Sequence, residues 1–133
     1  MAINDPIADF LTRIRNACKA QHRYIDVEWS KIKQYMAEIL KEQGFIENFL
    51  VKQESSSRGT IRLFLKYSMG RTPVIQGLKR ISKPGLRKYV KHDEIPTFFG
   101  GMGLPIISTS QGVVAGSEAR KRKIGGELIC IVW

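Results

Sequence analysis

Two stretches near the start of this chain repeat apolar residues every three or four positions, and beyond Gly44 that period gives way to strand-like runs. Asp5 before Pro6 reads as a helix N-cap with proline at the first helical position. Ile7, Phe10, Leu11, Ile14, Ala17 and Cys18 then share one helical face, with Asp9, Arg13, Asn16 and Lys19 opposite. Over residues 24–29 the period becomes two, with Ile25, Val27 and Trp29 on one side of a short strand. Ser30 caps a second helix whose stripe is Ile32, Tyr35, Met36, Ile39 and Leu40, and Gly44 stops it. Residues 45–52 and 60–67 read as two strands joined by the polar loop 54–59.

The second half is mostly strand. Gly70 and Pro73 punctuate the best boundary, at 68–73. A strand over 74–81 ends at the turn Ser82-Lys83-Pro84-Gly85, and a short strand over 86–90 contains Tyr89. Residues 92–96 suit one turn of helix, and 98–103 form a flexible glycine segment. The apolar run with Leu104, Ile106 and Ile107, a helix over 118–123 opened by Ser117, and a last strand from Leu128 complete the chain. The class is therefore α/β of the α+β kind. Residues 1–67 form a helix–strand–helix–hairpin domain, and residues 68–133 form a mostly β domain with a short helix.

Charge narrows the function. The net charge is +10, and residues 52–92 hold eleven Lys and Arg against the single Glu54, while the flanking segments balance. Solubility alone does not require such segregation. A localised positive field attracts polyanions, so nucleic acid is the expected partner, with an anionic membrane as rival. A membrane binder would carry its cations on an amphipathic helix, whereas these fall on strands and turns. No run approaches the ~18 apolar residues of a bilayer span. Residues 1–6 have neither a basic region nor an apolar one, so no secretory signal is expected. Cys18 and Cys130 sit within apolar patterns, as two buried thiols would.

Catalysis finds no support. Ile106 stands where a nucleophile elbow around Ser108 would need its first glycine. His22 and His92 lie in no triad context, and no Gly-Lys-Ser/Thr ending follows Gly101-Met102-Gly103. No Cys-x-x-Cys or histidine pair offers a metal site. No enzyme activity, cofactor, metal or small-molecule substrate is expected.

What remains is a pair of turns. Ser108-Thr109-Ser110-Gln111-Gly112 follows one apolar run, and Gly125-Gly126-Glu127 opens the next. Grouped hydroxyls, backbone amides and one carboxylate suit phosphates, riboses and base edges. Glu127 accepts from an exposed base amine or orients the neighbouring turn, and Gly125 and Gly126 let a backbone approach with no Cβ in the way. Tyr89, among Arg87, Lys88 and Lys91, admits two readings: a ring stacked on a base, or a core ring with its hydroxyl outward.

Four segments carry a resemblance. Residues 5–16 (Asp5-Pro6-Ile7-Ala8-Asp9, then Leu11-Thr12-Arg13-Ile14-Arg15-Asn16), Lys83-Pro84-Gly85-Leu86-Arg87, the Ser108–Gly112 turn and Gly125-Gly126-Glu127-Leu128 together resemble the bacterial small-subunit ribosomal protein eight family, in that family's order. The resemblance implies two small α/β domains and a primary binder of small-subunit ribosomal RNA, recognising an irregular helix of the central domain of 16S RNA and helping to nucleate its assembly. It implies that Ser108, Thr109, Ser110, Gln111 and Gly112 meet the RNA with Gly125, Gly126 and Glu127, and that Tyr89, Arg87 and Lys83 lie nearby. Around the first helix, Asn4, Asp5, Thr12 and Arg15 would touch a second RNA element. The implied partners are ribosomal RNA, neighbouring small-subunit proteins and, as an open matter, the chain's own messenger, with the ribosome in the cytoplasm as location.

Overall fold

The computed structural model describes residues 5–133. Contacts group them into two units, one built from Gly77–Trp133 with the residues up to Ala8, the other from Asp9–Gln76. Sequence punctuation marks a boundary at 67/68; contact density marks one at Gln76/Gly77. Each unit is mixed α and β, as the periodicities require.

The Asp9–Gln76 unit takes most of α1 (Pro6–Lys19), then β1 (Tyr24–Glu28), α2 (Lys31–Glu42), β2 (Ile46–Gln53) and β3 (Gly59–Leu65). The strands form an antiparallel sheet in the order β1-β3-β2. In β3 the alternation is strict: Ile61, Leu63 and Leu65 are buried with the helical residues Phe10, Leu11, Ile14, Met36 and Leu40, while Thr60, Arg62 and Phe64 face the other way. Ser30 caps α2 as its sequence suggests, its Oγ accepting from Lys33 N at 3.2 Å. Lys33 joins the buried stripe, which a charge-based reading leaves out. Its stem lies in the apolar face and its Nζ donates to Glu28 O at 3.1 Å.

The other unit is an antiparallel sheet in the order β4-β8-β6-β7, from β4 (Leu78–Arg80), β6 (Leu104–Thr109), β7 (Gly112–Ala115) and the central β8 (Gly126–Val132). A two-residue β5 (Tyr89–Val90) also pairs with β8. Helix α3 (Gly116–Arg122) packs on β6 and β7. Ile95, Ile107, Ala119 and Leu128 form a core cluster with Ile81, Val90, Val114 and Ile124 against it.

Several local expectations change. The strand expected over 74–81 shrinks to Leu78–Arg80, because Val74 N donates to Lys66 O at 3.0 Å and Pro73 bridges to Tyr67. The one over 86–90 keeps only Tyr89–Val90, because Leu86 exchanges both main-chain bonds with Lys83 around the tip Pro84–Gly85. Residues 92–96 form no helix, only a turn closed by Glu94 N to Lys91 O. The glycine segment is shaped: Phe99, Gly100 and Gly101 take positive φ of 50, 63 and 94° in a tight turn closed by Gly101 N to Phe98 O at 3.0 Å, and the Phe99 ring lies tilted against Trp133 with centroids 4.9 Å apart. Both cysteines are buried and unpaired; burial raises the Cys18 thiol and pushes Cys130 up to about 12.

Asp5 does two jobs. Its Oδ1 accepts from Ala8 N at 3.2 Å, capping α1, and its Oδ2 accepts from Arg80 Nε at 3.2 Å. Arg80 is only 9% exposed and also donates to Ile129 O at 2.8 Å, so the pair ties the helix start to β8. Asp5→Ala should cost about 3 kcal/mol in urea unfolding, from a lost cap and a guanidinium left buried without its partner. Asp5→Asn, which keeps the capping oxygen, should cost clearly less; equal losses would show that the ion pair contributes nothing.

Candidate nucleic-acid interface

Strand register builds the site. Glu127 of β8 stands opposite Ser108 of β6 on one side and opposite Tyr89 of β5 on the other. Directly paired residues of an antiparallel ladder share a face, so the three side chains form a row across the sheet. Their chain neighbours Ile107, Leu128 and Val90 belong to the core cluster or pack on it. Period-two alternation therefore turns Ser108, Glu127 and Tyr89 away from that core. The apolar residues fix the row, since a slip of one position would invert it.

The arm carrying Tyr89 is held by a serine. Ser82 is fully buried, donates from Oγ to Glu127 Oε2 at 2.5 Å and accepts from Lys88 N at 3.1 Å. Lys88 O accepts from Leu128 N at 2.9 Å, so both main-chain polar groups of Lys88 are pinned next to Tyr89. Arg87 Nη1 reaches the same Glu127 oxygen at 2.8 Å. Burial pushes the Glu127 carboxyl up, but the hydrogen bonds from Ser82 and Arg87 and the charges of Arg87 and Arg80 outweigh it and hold the group below its ordinary value. Glu127 thus stays ionised, with its charge answered from within the protein. Its Oε1 accepts nothing from the described residues.

The hydroxyl turn divides its labour. Thr109 pairs with Gly112 across the hairpin; its Oγ1 donates to Gly112 O at 2.7 Å and accepts from Gln111 N at 3.1 Å. Alternation sets Thr109 off the face of Ser108, and its hydroxyl is committed to the turn. Ser110 and Gln111 are exposed at the tip. Gly112 absorbs the positive φ of 109°.

Gly125 and Gly126 serve the chain itself. A Cβ on Gly126 would overlap the Ser108 carbonyl, and one on Gly125 the Val90 carbonyl. The space is filled by protein backbone, which is how β8 approaches its neighbours so closely. Tyr89 is 71% exposed, which removes the core-packing reading. Lys83, Lys88 and Lys91 are exposed around it, and no ion pair among the described residues engages them.

The remaining expected residues do not join the row. Asp5 has both oxygens engaged inside the protein, and its side chain is 17% exposed. Thr12 and Arg15 are exposed on α1 in the Asp9–Gln76 unit, and Asn4 lies outside the described residues. Ser82 is the residue that sequence reasoning missed. Its place before Lys83-Pro84-Gly85 marks a turn, but only the fold brings it to Glu127. The basic excess also divides: the Asp9–Gln76 unit has twelve Lys and Arg against seven acids, and the remainder has ten against five, so each unit carries +5.

Residues 5–133 match a family model described as ribosomal protein S8. The chain is 71% identical over its full length, and that of the relative, to the small ribosomal subunit protein uS8 of Protochlamydia amoebophila. It is 55% identical to that of Roseiflexus castenholzii and 56% to that of Pediococcus pentosaceus, again over all of both chains. For stability, Gly126→Ala should cost about 3 kcal/mol by overpacking a strand pair. Gly112→Ala, with open space but a positive φ, should cost about 1–2 kcal/mol in the same urea titration. Reversed order would mean that β6 and β8 do not approach as closely as described.

Proposed function

The chain belongs to the ribosomal protein S8 family, and from that premise we propose that it binds small-subunit ribosomal RNA directly, as a primary binder of an irregular helix in the central domain that helps to nucleate assembly there. It is a structural constituent of the small ribosomal subunit in the cytoplasm, and not an enzyme. The observation that carries the finer reading is the row of Ser108, Glu127 and Tyr89 beside the exposed tip Ser110–Gln111.

An A-form major groove is too deep and narrow for side chains, so specificity falls on unpaired or distorted nucleotides and ribose hydroxyls. Ser108 and Ser110 are small enough to approach such a surface, and a hydroxyl both donates and accepts. A carboxylate suits RNA poorly unless its charge is balanced; Arg87 balances it, which leaves Oε1 to accept from a base amine. Tyr89 offers a ring to an unstacked base, with Lys83, Lys88 and Lys91 placed for phosphates. An RNA that repeats the same distorted helix would fit the row in the same way, and the chain's own messenger would do so if it carries that helix. Thr12 and Arg15 on α1 would meet a second RNA element.

Ser110→Ala should weaken binding to a central-domain RNA fragment by about 1–3 kcal/mol in filter binding, as for a partner group left unpaired. If about five phosphates are neutralised, log K should fall against log salt with a slope near −4 to −5. A flat salt response, or an alanine variant that binds like the parent, would contradict the reading.

A further inference from the structure

The Asp9–Gln76 unit has a second feature that the RNA reading does not use. Strand β1 is an edge of its sheet and, among the described residues, pairs only with β3. Beside it lies a groove of about 490 Å³ whose walls come from α1, β1 and the turn that joins them, none from β3. Asn16, Ala17 and Ala20 line it on the helix side, and Tyr24, Ile25 and Asp26 on the strand side.

Ladder alternation tells which main-chain groups face the groove. Leu65 N donates to Arg23 O at 2.9 Å and Trp29 N to Gly59 O at 2.8 Å, so the odd-numbered residues of this strand turn their polar groups toward β3. Tyr24, Asp26 and Glu28 therefore turn theirs outward. The two ends of this edge are closed: Tyr67 donates its hydroxyl to His22 O at 2.5 Å, and Lys33 Nζ occupies Glu28 O at 3.1 Å. Between those stops the amides and carbonyls of Tyr24 and Asp26 form a short ladder with no strand beside it. Unpaired edges are templates for another strand, and proteins usually block them. This one is blocked at both ends and open in the middle.

We propose that this slot receives an extended segment of a partner protein, which pairs with Tyr24 and Asp26 as a fourth strand. The alternating donors and acceptors of a strand edge match a peptide main chain and not a sugar–phosphate backbone. The helix-side wall is small and apolar at Ala17 and Ala20, which admits compact side chains. Both charged side chains of the groove are already paired, Asp26 with Arg62 at 2.8 and 3.0 Å and Arg13 with Asp9 at 2.9 Å, so the charge left to steer a partner is the unit's net +5. The segment is therefore acidic or uncharged, as charge complementarity requires.

The test is hydrogen exchange of the full chain, read residue by residue, in three states: free, bound to purified small-subunit ribosomal RNA alone, and in a subunit reconstituted from that RNA and purified small-subunit proteins. In the free chain the Tyr24 and Asp26 amides should exchange faster than those of Ile25 and Val27. In the reconstituted subunit they should slow by about tenfold or more, a local protection that RNA alone does not give. Ala20→Arg, at an exposed position that fills the groove, should remove this protection while leaving the free chain's melting temperature and RNA affinity unchanged. Protection by RNA alone would make RNA the occupant and overturn the proposal; so would no protection in the subunit, or protection that survives Ala20→Arg. Failure of the RNA reading would show separately, as unaltered exchange around Ser82–Val90 and Ser108–Gly112 in the RNA-bound state.

Discussion

A single buried hydroxyl joins the two halves of the candidate interface. Ser82 Oγ lies between the Glu127 carboxylate and the Lys88 amide; the serine itself is fully buried, and both bonds are partly shielded from water. Without it, Lys88 N–H and one carboxylate oxygen would each lose a partner, and unmade buried bonds cost more than made ones gain. β5 is only two residues long, too short to hold its own register. The serine, together with the Leu128–Lys88 bond, is what keeps Tyr89 opposite Glu127.

That arrangement explains how a carboxylate can sit in a surface meant for a polyanion. Glu127 is tied to Arg87 at 2.8 Å, so its charge is answered from within the protein. Its Oε2 anchors the arm through Ser82, and on the proposed reading its Oε1 is left to accept from an incoming group. The positive charge plays a different part. Each unit carries +5, so on the proposed reading the cations of both units attract RNA and the row selects which fold of it fits.

Much of this was legible in the sequence, for physical reasons that can be named. The caps at Asp5 and Ser30 and the stripes of α1 and α2 are local, and local rules found them. The pairing of the Ser108–Gly112 turn with Gly125–Glu127 was readable because each borders an apolar run that had to be a strand. Ser82 was not readable, because its role depends on a residue 45 positions away. Lys33 escaped because its charge hides an apolar stem. Gly125 and Gly126 read as positions where a backbone approaches with no Cβ in the way, and the backbone that approaches is the chain's own, at Val90 and Ser108. Thr109, expected as a contact, commits its hydroxyl to closing its own hairpin, a bond that appears only once the turn is folded. Strands 74–81 and 86–90 were too long on paper because the partners of Val74 and Leu86 are not visible in a linear pattern.

The most direct measurement is a double-mutant cycle on RNA affinity with Ser82→Ala and Tyr89→Ala. If the buried hydroxyl acts by holding the ring in place, its removal should weaken binding in the parent and change little once the ring is gone, a coupling of about 1–2 kcal/mol. Losses that simply add, within about 0.3–0.5 kcal/mol, would mean that the serine does not position the tyrosine and that the row is not the recognition element.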